Sequence, residues 1–86
     1  MEIEYTLEAN DDLKYWKKTN NSAVLKRIRK LIESITQSPF EGIGRPELLK
    51  YNLAGCWSRR INHEHRLVYE VMSDKILIHS ARWHYN

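Results

Sequence analysis

Three side chains in the second half of the sequence have the residue types and spacing to act on a phosphodiester. Side-chain alternation along "HRLVYEV" and the neighbouring strands predicts that Arg60, Arg66 and His84 share one face of a sheet, beneath a loop that carries Glu47 and Lys50. Cleavage of RNA needs a base for the 2′-hydroxyl, cations around the equatorial phosphorane oxygens and an acid for the leaving 5′-oxygen. These residue types can supply all three functions without a metal or cofactor, because the substrate carries its own nucleophile.

The elements that precede this loop are predicted to be one strand and two helices. "EIEYTL" alternates apolar and polar residues with the period of a half-buried strand. A helical pattern follows from Glu8 to about Lys18, and "TNNS" then supplies a break and a capping residue. The second helix has a regular apolar stripe made of Val24, Leu25, Ile28, Leu31, Ile32 and Ile35.

The remaining sequence predicts a structured loop and three strands. Two prolines and two glycines in "SPFEGIGRPELL" end the second helix and favour turns. The segments "CWSRRIN", "HRLVYEV" and "KILIHSARWHY" are rich in β-branched and aromatic residues, and a short polar turn joins the last two. We therefore predict a single α+β domain over residues 1–86, in the order β-α-α-β-β-β, with two helices packed on one face of an antiparallel sheet.

The alternation also predicts which side chains face the helices. The residues predicted to point inward are Trp57, Ile61, Leu67, Tyr69, Val71, Leu77, Ala81 and Trp83. Arg59 falls on the same apolar side, which is a misfit unless it lies near the sheet edge.

Charge and composition narrow the class of protein. The net charge is +3, and residues 13–66 hold twelve of the fourteen lysines and arginines, a distribution that attracts phosphate or an acidic protein. No apolar run approaches the roughly 18 residues of a membrane span. The single cysteine, Cys56, rules out an intramolecular disulfide, and nothing in the first thirty residues reads as a signal peptide. We expect a cytoplasmic protein with no membrane contact.

Several motifs in the sequence resemble those of one toxin family. The stretch "SPFEGIGRPELLKYNLAGCWSRRINHEHRLVYEV" and the ending "ARWHY" are similar, in order and spacing, to the YoeB (Txe/YoeB) toxins of bacterial type II toxin–antitoxin systems, within the RelE/ParE group. The resemblance runs nearly end to end. It departs at Cys56, where a large aromatic residue is usual, at Trp83, which replaces a common tyrosine, and at Asn86, which follows the usual final tyrosine.

The resemblance implies a RelE/ParE-like fold and a ribosome-dependent endoribonuclease that cuts mRNA in the ribosomal A site. Carried over to this sequence, Glu47 becomes the general base, Arg66 the stabiliser of the transition-state phosphate and His84 the general acid. Lys50, Arg60 and Tyr85 become substrate-binding residues. The implied partners are a cognate YefM/Axe-like antitoxin, the ribosome with bound mRNA and a second copy of the chain, in the bacterial cytoplasm.

Other interpretations of these residues stay open from the sequence. Glu47 can instead be the first-turn acid of a short helix that begins at Pro46, and Glu64 is a rival base two residues before Arg66. His63 and His65 have metal-ligand spacing but no third ligand, so no metal site is predicted. Alternative functions are a ParE-like inhibitor of DNA gyrase and a non-catalytic, basic protein-interaction module.

Overall fold

Two helices cover one face of a five-stranded sheet in the computed structural model, which describes residues 1–84. A single turn of 3₁₀-helix, Tyr51–Leu53, lies between the second and third strands. The elements, in chain order, are β1 (Glu2–Tyr5), α1 (Leu7–Lys18), α2 (Ser22–Gln37), β2 (Glu47–Leu48), β3 (Trp57–Arg60), β4 (Arg66–Val71) and β5 (Lys75–Trp83).

Both helices begin at side-chain caps. The Thr6 hydroxyl accepts a hydrogen bond from the Ala9 amide at the start of α1, and the Asn21 side chain accepts one from the Val24 amide at the start of α2. The predicted stripe of α2 is buried at its central positions, including Leu31. Within residues 1–84, neither helix combines the length and the apolar character needed to cross a membrane.

The sheet is mixed rather than wholly antiparallel. Its strand order is β1-β5-β4-β3-β2, and β1 pairs with β5 in parallel, whereas the other pairs are antiparallel. The hairpin connections predicted from the sequence force opposite directions only on β3, β4 and β5. Two helices separate β1 from the other strands in the chain, so no hairpin fixes its direction. β1 lies at the edge of the sheet beside β5 and runs parallel to it. The predicted α+β fold is confirmed, with this correction and with β2 as an additional short strand.

Each face of the sheet carries an apolar cluster. The larger cluster lies under the helices and includes Leu67, Tyr69, Ile76, Ile78 and Ala81. A smaller cluster on the opposite, open face consists of Leu49, Cys56 and Val68, with Leu53 and Trp83 packed against it.

The predictions that Leu77 and Trp83 on β5 face the helices were therefore wrong. Leu77 pairs with Glu70, and Trp83 pairs with Arg66, so both lie on the open face. The cause is two one-residue register shifts between β4 and β5, on either side of Val68. Each shift reverses the orientation of the side chains that follow it. A prediction that assumes strict alternation does not include such shifts.

Arg59 is the most unusual residue of the interior. It is fully buried on the helix side of the sheet, not at an edge, and each of its five N–H groups donates a hydrogen bond. The acceptors are the Tyr69 hydroxyl, the Ser34 hydroxyl and the backbone carbonyls of Ser38, Glu41 and Ile43, at 2.7–3.1 Å. Arg59 thus joins α2, β4 and the loop 38–46 into one unit.

The loop 38–46 fits tightly around this side chain. Gly44 has a φ of 85°, and a Cβ there would lie 2.7 Å from a methyl carbon of Leu31 and 3.1 Å from the Arg59 Cβ. Only glycine satisfies both the backbone conformation and the close approach. The Tyr69 hydroxyl also donates to the Pro39 carbonyl at 2.7 Å. Burial raises the pKa of Tyr69, and the adjacent Arg59 offsets part of that increase.

Replacing Arg59 by leucine should destabilise the protein severely. Arg59→Leu leaves five buried or partly buried acceptors without the donors that Arg59 supplies, so we expect the free energy of unfolding to fall by about 3 kcal/mol or more. Denaturant unfolding followed by circular dichroism measures this. The matched control is Arg60→Leu, at an exposed position of the same strand, which should cost about 0.5 kcal/mol or less. Equal losses in the two variants would contradict the central role of Arg59.

Candidate active site

Arg66 and Glu47 are in direct contact on the open face of the sheet. Arg66 Nη1 donates to Glu47 Oε2 at 3.0 Å and to the Ser58 hydroxyl at 2.8 Å. The sheet register explains the contact, because β2 pairs Glu47 with Ser58 and β3 pairs Arg60 with Arg66. The Arg66 side chain is 12% exposed and that of Glu47 is 48% exposed. The guanidinium is thus oriented by fixed partners while the carboxylate still reaches solvent.

His84 follows the last residue of β5, at a point where α1 holds the strand. The Ala81 amide donates to Asp12 Oδ2 at 2.8 Å, and the Trp16 indole donates to the Ala81 carbonyl at 2.9 Å. The rings of Trp16 and His65 are 4.9 Å apart, and those of His65 and His84 are 4.5 Å apart. A continuous series of contacts from the helix therefore limits where the exposed His84 ring can lie.

His84 is shared by two adjoining hollows of the open face. One is lined by Glu47, Leu49, Lys50, Leu53, Trp83 and His84. The other is lined by Arg60, Asn62, His63, Glu64, Arg66 and His84. Because the Arg66–Glu47 contact bridges them, we describe the two together as the cleft. Its described walls contain three cations, two carboxylates and two imidazoles.

The structure brings together five of the six residues singled out from the sequence. Glu47, Lys50, Arg60, Arg66 and His84 all line the cleft, and Tyr85 lies outside the described residues. Glu47 belongs to β2, so the reading in which it starts a short helix is wrong. The rival base Glu64 also lines the cleft, with its side chain 72% exposed.

Sequence reasoning missed three residues that support the cleft. Ser58 orients Arg66, and the alternation that placed Arg60 outward also places Ser58 outward, which was a usable signal. His65 was considered only as a metal ligand, whereas its ring packs between Trp16 and His84. Asp12 lies within the predicted first helix, and no sequence pattern indicates its bond to the Ala81 amide.

Two groups of side chains in residues 1–84 have the donor types and proximity to hold a metal ion. Glu64, His65 and His84 form one group inside the cleft, and Cys56, Glu70 and His79 form the other, outside it. In each group the ligand atoms lie within 4.8 Å of one another.

The chemistry available in the cleft is acid–base catalysis next to fixed positive charge. A carboxylate and an imidazole can exchange protons, and Arg66, between them, can bind an anionic group. Both hollows of the cleft are open to solvent, which suits a polymer strand rather than a small enclosed ligand.

Comparison with solved structures defines the class of fold. The chain is similar to a YoeB/ParE toxin from Agrobacterium tumefaciens, with a TM-score of 0.93 and 39% identity over 99% of this chain and 100% of the other. It is also similar to the toxin in a YoeB–YefM complex from Staphylococcus aureus, with a TM-score of 0.88 and 48% identity over 99% and 98% of the two chains. The same organism's YoeB has been solved as a dimer, with a TM-score of 0.91 and 46% identity over 99% and 98% of the two chains. The fold is therefore that of a small bacterial toxin.

Sequence comparison gives the family. Residues 5–85 match the model of the YoeB-like toxins of bacterial type II toxin–antitoxin systems. Toxin YoeB of Escherichia coli (strain K12) is 48% identical over 85 residues, which are 99% of this chain and all of the relative. The chain belongs to the YoeB-like toxin family.

The contact between Glu47 and Arg66 should contribute little to folding. Glu47 is about half exposed, so a double-mutant cycle of Glu47→Ala and Arg66→Ala should give a coupling energy for unfolding of about 1 kcal/mol or less. Denaturant unfolding of the wild type, both single variants and the double variant measures it. A coupling of about 3 kcal/mol or more would mean that the pair is a structural ion pair, and loss of activity in either variant would then report on stability.

Proposed function

We propose that this protein is a ribosome-dependent endoribonuclease that cuts mRNA in the ribosomal A site and so inhibits translation. The observation that carries the proposal is the convergence of Glu47, Arg66 and His84 on one open cleft, with Glu47 and Arg66 in contact at 3.0 Å. Family membership supports the same conclusion, since this is the activity that the resemblance to YoeB toxins implies.

Proton transfer is assigned to the Glu47 carboxylate and the His84 imidazole, which line the same hollow of the cleft. Glu47 removes the proton from the RNA 2′-hydroxyl, and the resulting oxyanion attacks the adjacent phosphorus. His84 donates a proton to the leaving 5′-oxygen. The long side chain and solvent exposure of Glu47 allow it to leave Arg66 when a phosphate takes its place, and the contact of His84 with His65 restricts the orientation of the acid. Glu64 is the alternative base.

Charge stabilisation is assigned to Arg66. The pentacoordinate phosphorane carries more negative charge than the substrate phosphate, so a guanidinium held in advance by Ser58 stabilises it preferentially. Lys50 and Arg60, both exposed at the edges of the cleft, bind the neighbouring phosphates. Tyr85, the residue after His84, positions the substrate.

The partners follow from the chemistry of the cleft and from the solved relatives. The resemblance to YoeB toxins implies that the ribosome supplies a fixed mRNA strand, and an open cleft fits a substrate that is held in place by another body. The complex of a relative with YefM supports an antitoxin of the YefM/Axe type as the protein that silences the enzyme. The solved dimer of the same relative supports a homodimer. Action on ribosomes places the protein in the bacterial cytoplasm.

Cleavage of a defined message on purified ribosomes tests the proposal. Wild-type protein should cut the message at A-site codons, mapped by primer extension. Glu47→Ala, Arg66→Ala and His84→Ala should each lower the single-turnover rate about 100-fold or more, the usual contribution of a general acid, a general base or an oriented charge. Glu33→Ala, an exposed carboxylate on α2, is the matched control and should cut at the wild-type rate.

Two results would change the assigned roles, and two would replace the proposed function. Full cleavage by all three variants would remove the assigned roles, and full loss in Glu64→Ala with none in Glu47→Ala would transfer the base to Glu64. Wild-type protein that leaves ribosome-bound message intact but blocks supercoiling by DNA gyrase would instead establish a ParE-like inhibitor. Tight partner binding with neither activity would leave a protein-interaction module.

A further inference from the structure

A second cluster of chemically distinctive side chains lies on the open face, away from the catalytic residues. Cys56 immediately precedes β3, Glu70 is on β4 and His79 is on β5, so two residues come from adjacent strands and the third from the position just before the next strand. Their ligand atoms, the thiol sulfur, a carboxylate oxygen and an imidazole nitrogen, all lie within 4.8 Å of one another. Glu70 Oε1 and His79 Nε2 are already 2.9 Å apart.

Sheet register, rather than a flexible loop, creates this proximity. Trp57 pairs with Tyr69, so the preceding Cys56 lies level with Glu70 on the neighbouring strand. Glu70 in turn pairs with Leu77, two residues before His79, on the adjacent strand β5. Side chains held by paired strands change position little, so the three donors stay near one another before any ligand arrives.

We propose that Cys56, Glu70 and His79 form a binding site for Zn²⁺ or a similar divalent transition metal ion. A thiolate, an imidazole and a carboxylate are the donors that Zn²⁺ takes in proteins, and three protein ligands leave a fourth position for water. Ligand atoms on a tetrahedral zinc lie about 3.3–3.8 Å apart, given bonds of about 2.0–2.3 Å. Small side-chain rotations would bring the three donors to that spacing. The thiolate disfavours Mg²⁺ and Ca²⁺, which prefer oxygen donors.

The environment of the thiol also fits a cation. Cys56 is 7% exposed, and burial, with a smaller effect from the nearby Glu70 carboxylate, raises the pKa of its thiol above the ordinary value of 9.0. A divalent cation offsets both effects on the thiolate, because it binds the sulfur directly and neutralises the Glu70 carboxylate. Binding at pH 8 therefore releases the thiol proton to solvent.

The group inside the cleft is the weaker candidate. Glu64 is in a loop with its side chain 72% exposed, and Glu64 Oε1 is 3.9 Å from His65 Nε2. That group also lacks a thiolate, and His84 is assigned to proton transfer. The Cys56 group shares no residue with the cleft that contains Glu47, Arg66 and His84, so this inference does not depend on the proposed function.

Titration of the tag-free, chelator-treated protein with Co²⁺ at pH 8 tests the site. A 1:1 complex should develop with a thiolate-to-cobalt charge-transfer absorption in the near ultraviolet, and Zn²⁺ should abolish the absorption by displacement. Metal binding should also raise the midpoint of thermal unfolding, because the ion binds the folded sheet and not the separated strands.

Substitutions identify the ligands. Cys56→Ser should eliminate the charge-transfer band, and His79→Ala should lower the Co²⁺ affinity at least about tenfold. Glu70→Gln should weaken binding in the same direction. His63→Ala, an exposed histidine outside the group, is the matched control and should bind like the wild type. Each variant is checked for a cooperative thermal transition in chelator; His79 is only partly buried, so His79→Ala provides the decisive comparison.

Three outcomes would overturn the proposal. The first is the absence of a thiolate band in the wild type. The second is a band whose affinity is unchanged in both Glu70→Gln and His79→Ala, which would indicate a lone cysteine that binds cobalt adventitiously. The third concerns the other group of ligands. Binding that is lost in His84→Ala and retained in His79→Ala would move the ion to the group in the cleft.

Discussion

The buried guanidinium of Arg59 is the interaction on which the rest of this small fold depends. A charge removed from water is costly unless every donor is satisfied, and Arg59 satisfies all five through two hydroxyls and three backbone carbonyls. Three of these acceptors belong to the loop 38–46. The loop is therefore held by the sheet, and it leads directly into β2, where Glu47 contacts Arg66.

A second constraint acts on the opposite side of the cleft, at the end of β5. The register shifts between β4 and β5 turn the backbone of Ala81 away from regular pairing, and side chains of α1 satisfy its amide and its carbonyl. The helix thus compensates for the irregular strand and, through Trp16 and His65, restrains His84. Arg59 and α1 each hold one member of the proposed acid–base pair, so the packing of an 86-residue domain is sufficient to shape the candidate active-site cleft on its surface.

Much of this arrangement could be predicted from the sequence, and the failures have physical causes. Apolar patterns of period 2 and period 3.6 predicted the strands and the helices. Side-chain alternation predicted that Arg60 and Arg66 face away from the helices, where they form one wall of the cleft. Alternation failed at Leu77 and Trp83 because a register shift leaves no mark in the residue pattern. Arg59 was a misfit in the predicted pattern because three of its acceptors are backbone carbonyls. Every residue type has such a carbonyl, so the sequence does not show which ones surround Arg59. The grouping of Cys56 with Glu70 and His79 depends on register across three strands, which sequence spacing alone does not reveal.

The chemistry proposed for the cleft requires the RNA itself to supply the nucleophile. Ribosomes can be programmed with two messages that differ only by a single 2′-deoxynucleotide on the 5′ side of the mapped cut. The account predicts that the all-ribose message is cut there and that the substituted message is left intact at that bond under the same conditions. Cleavage of the substituted bond at the rate of its ribose counterpart would contradict the account, because Glu47 would then have no 2′-hydroxyl to deprotonate.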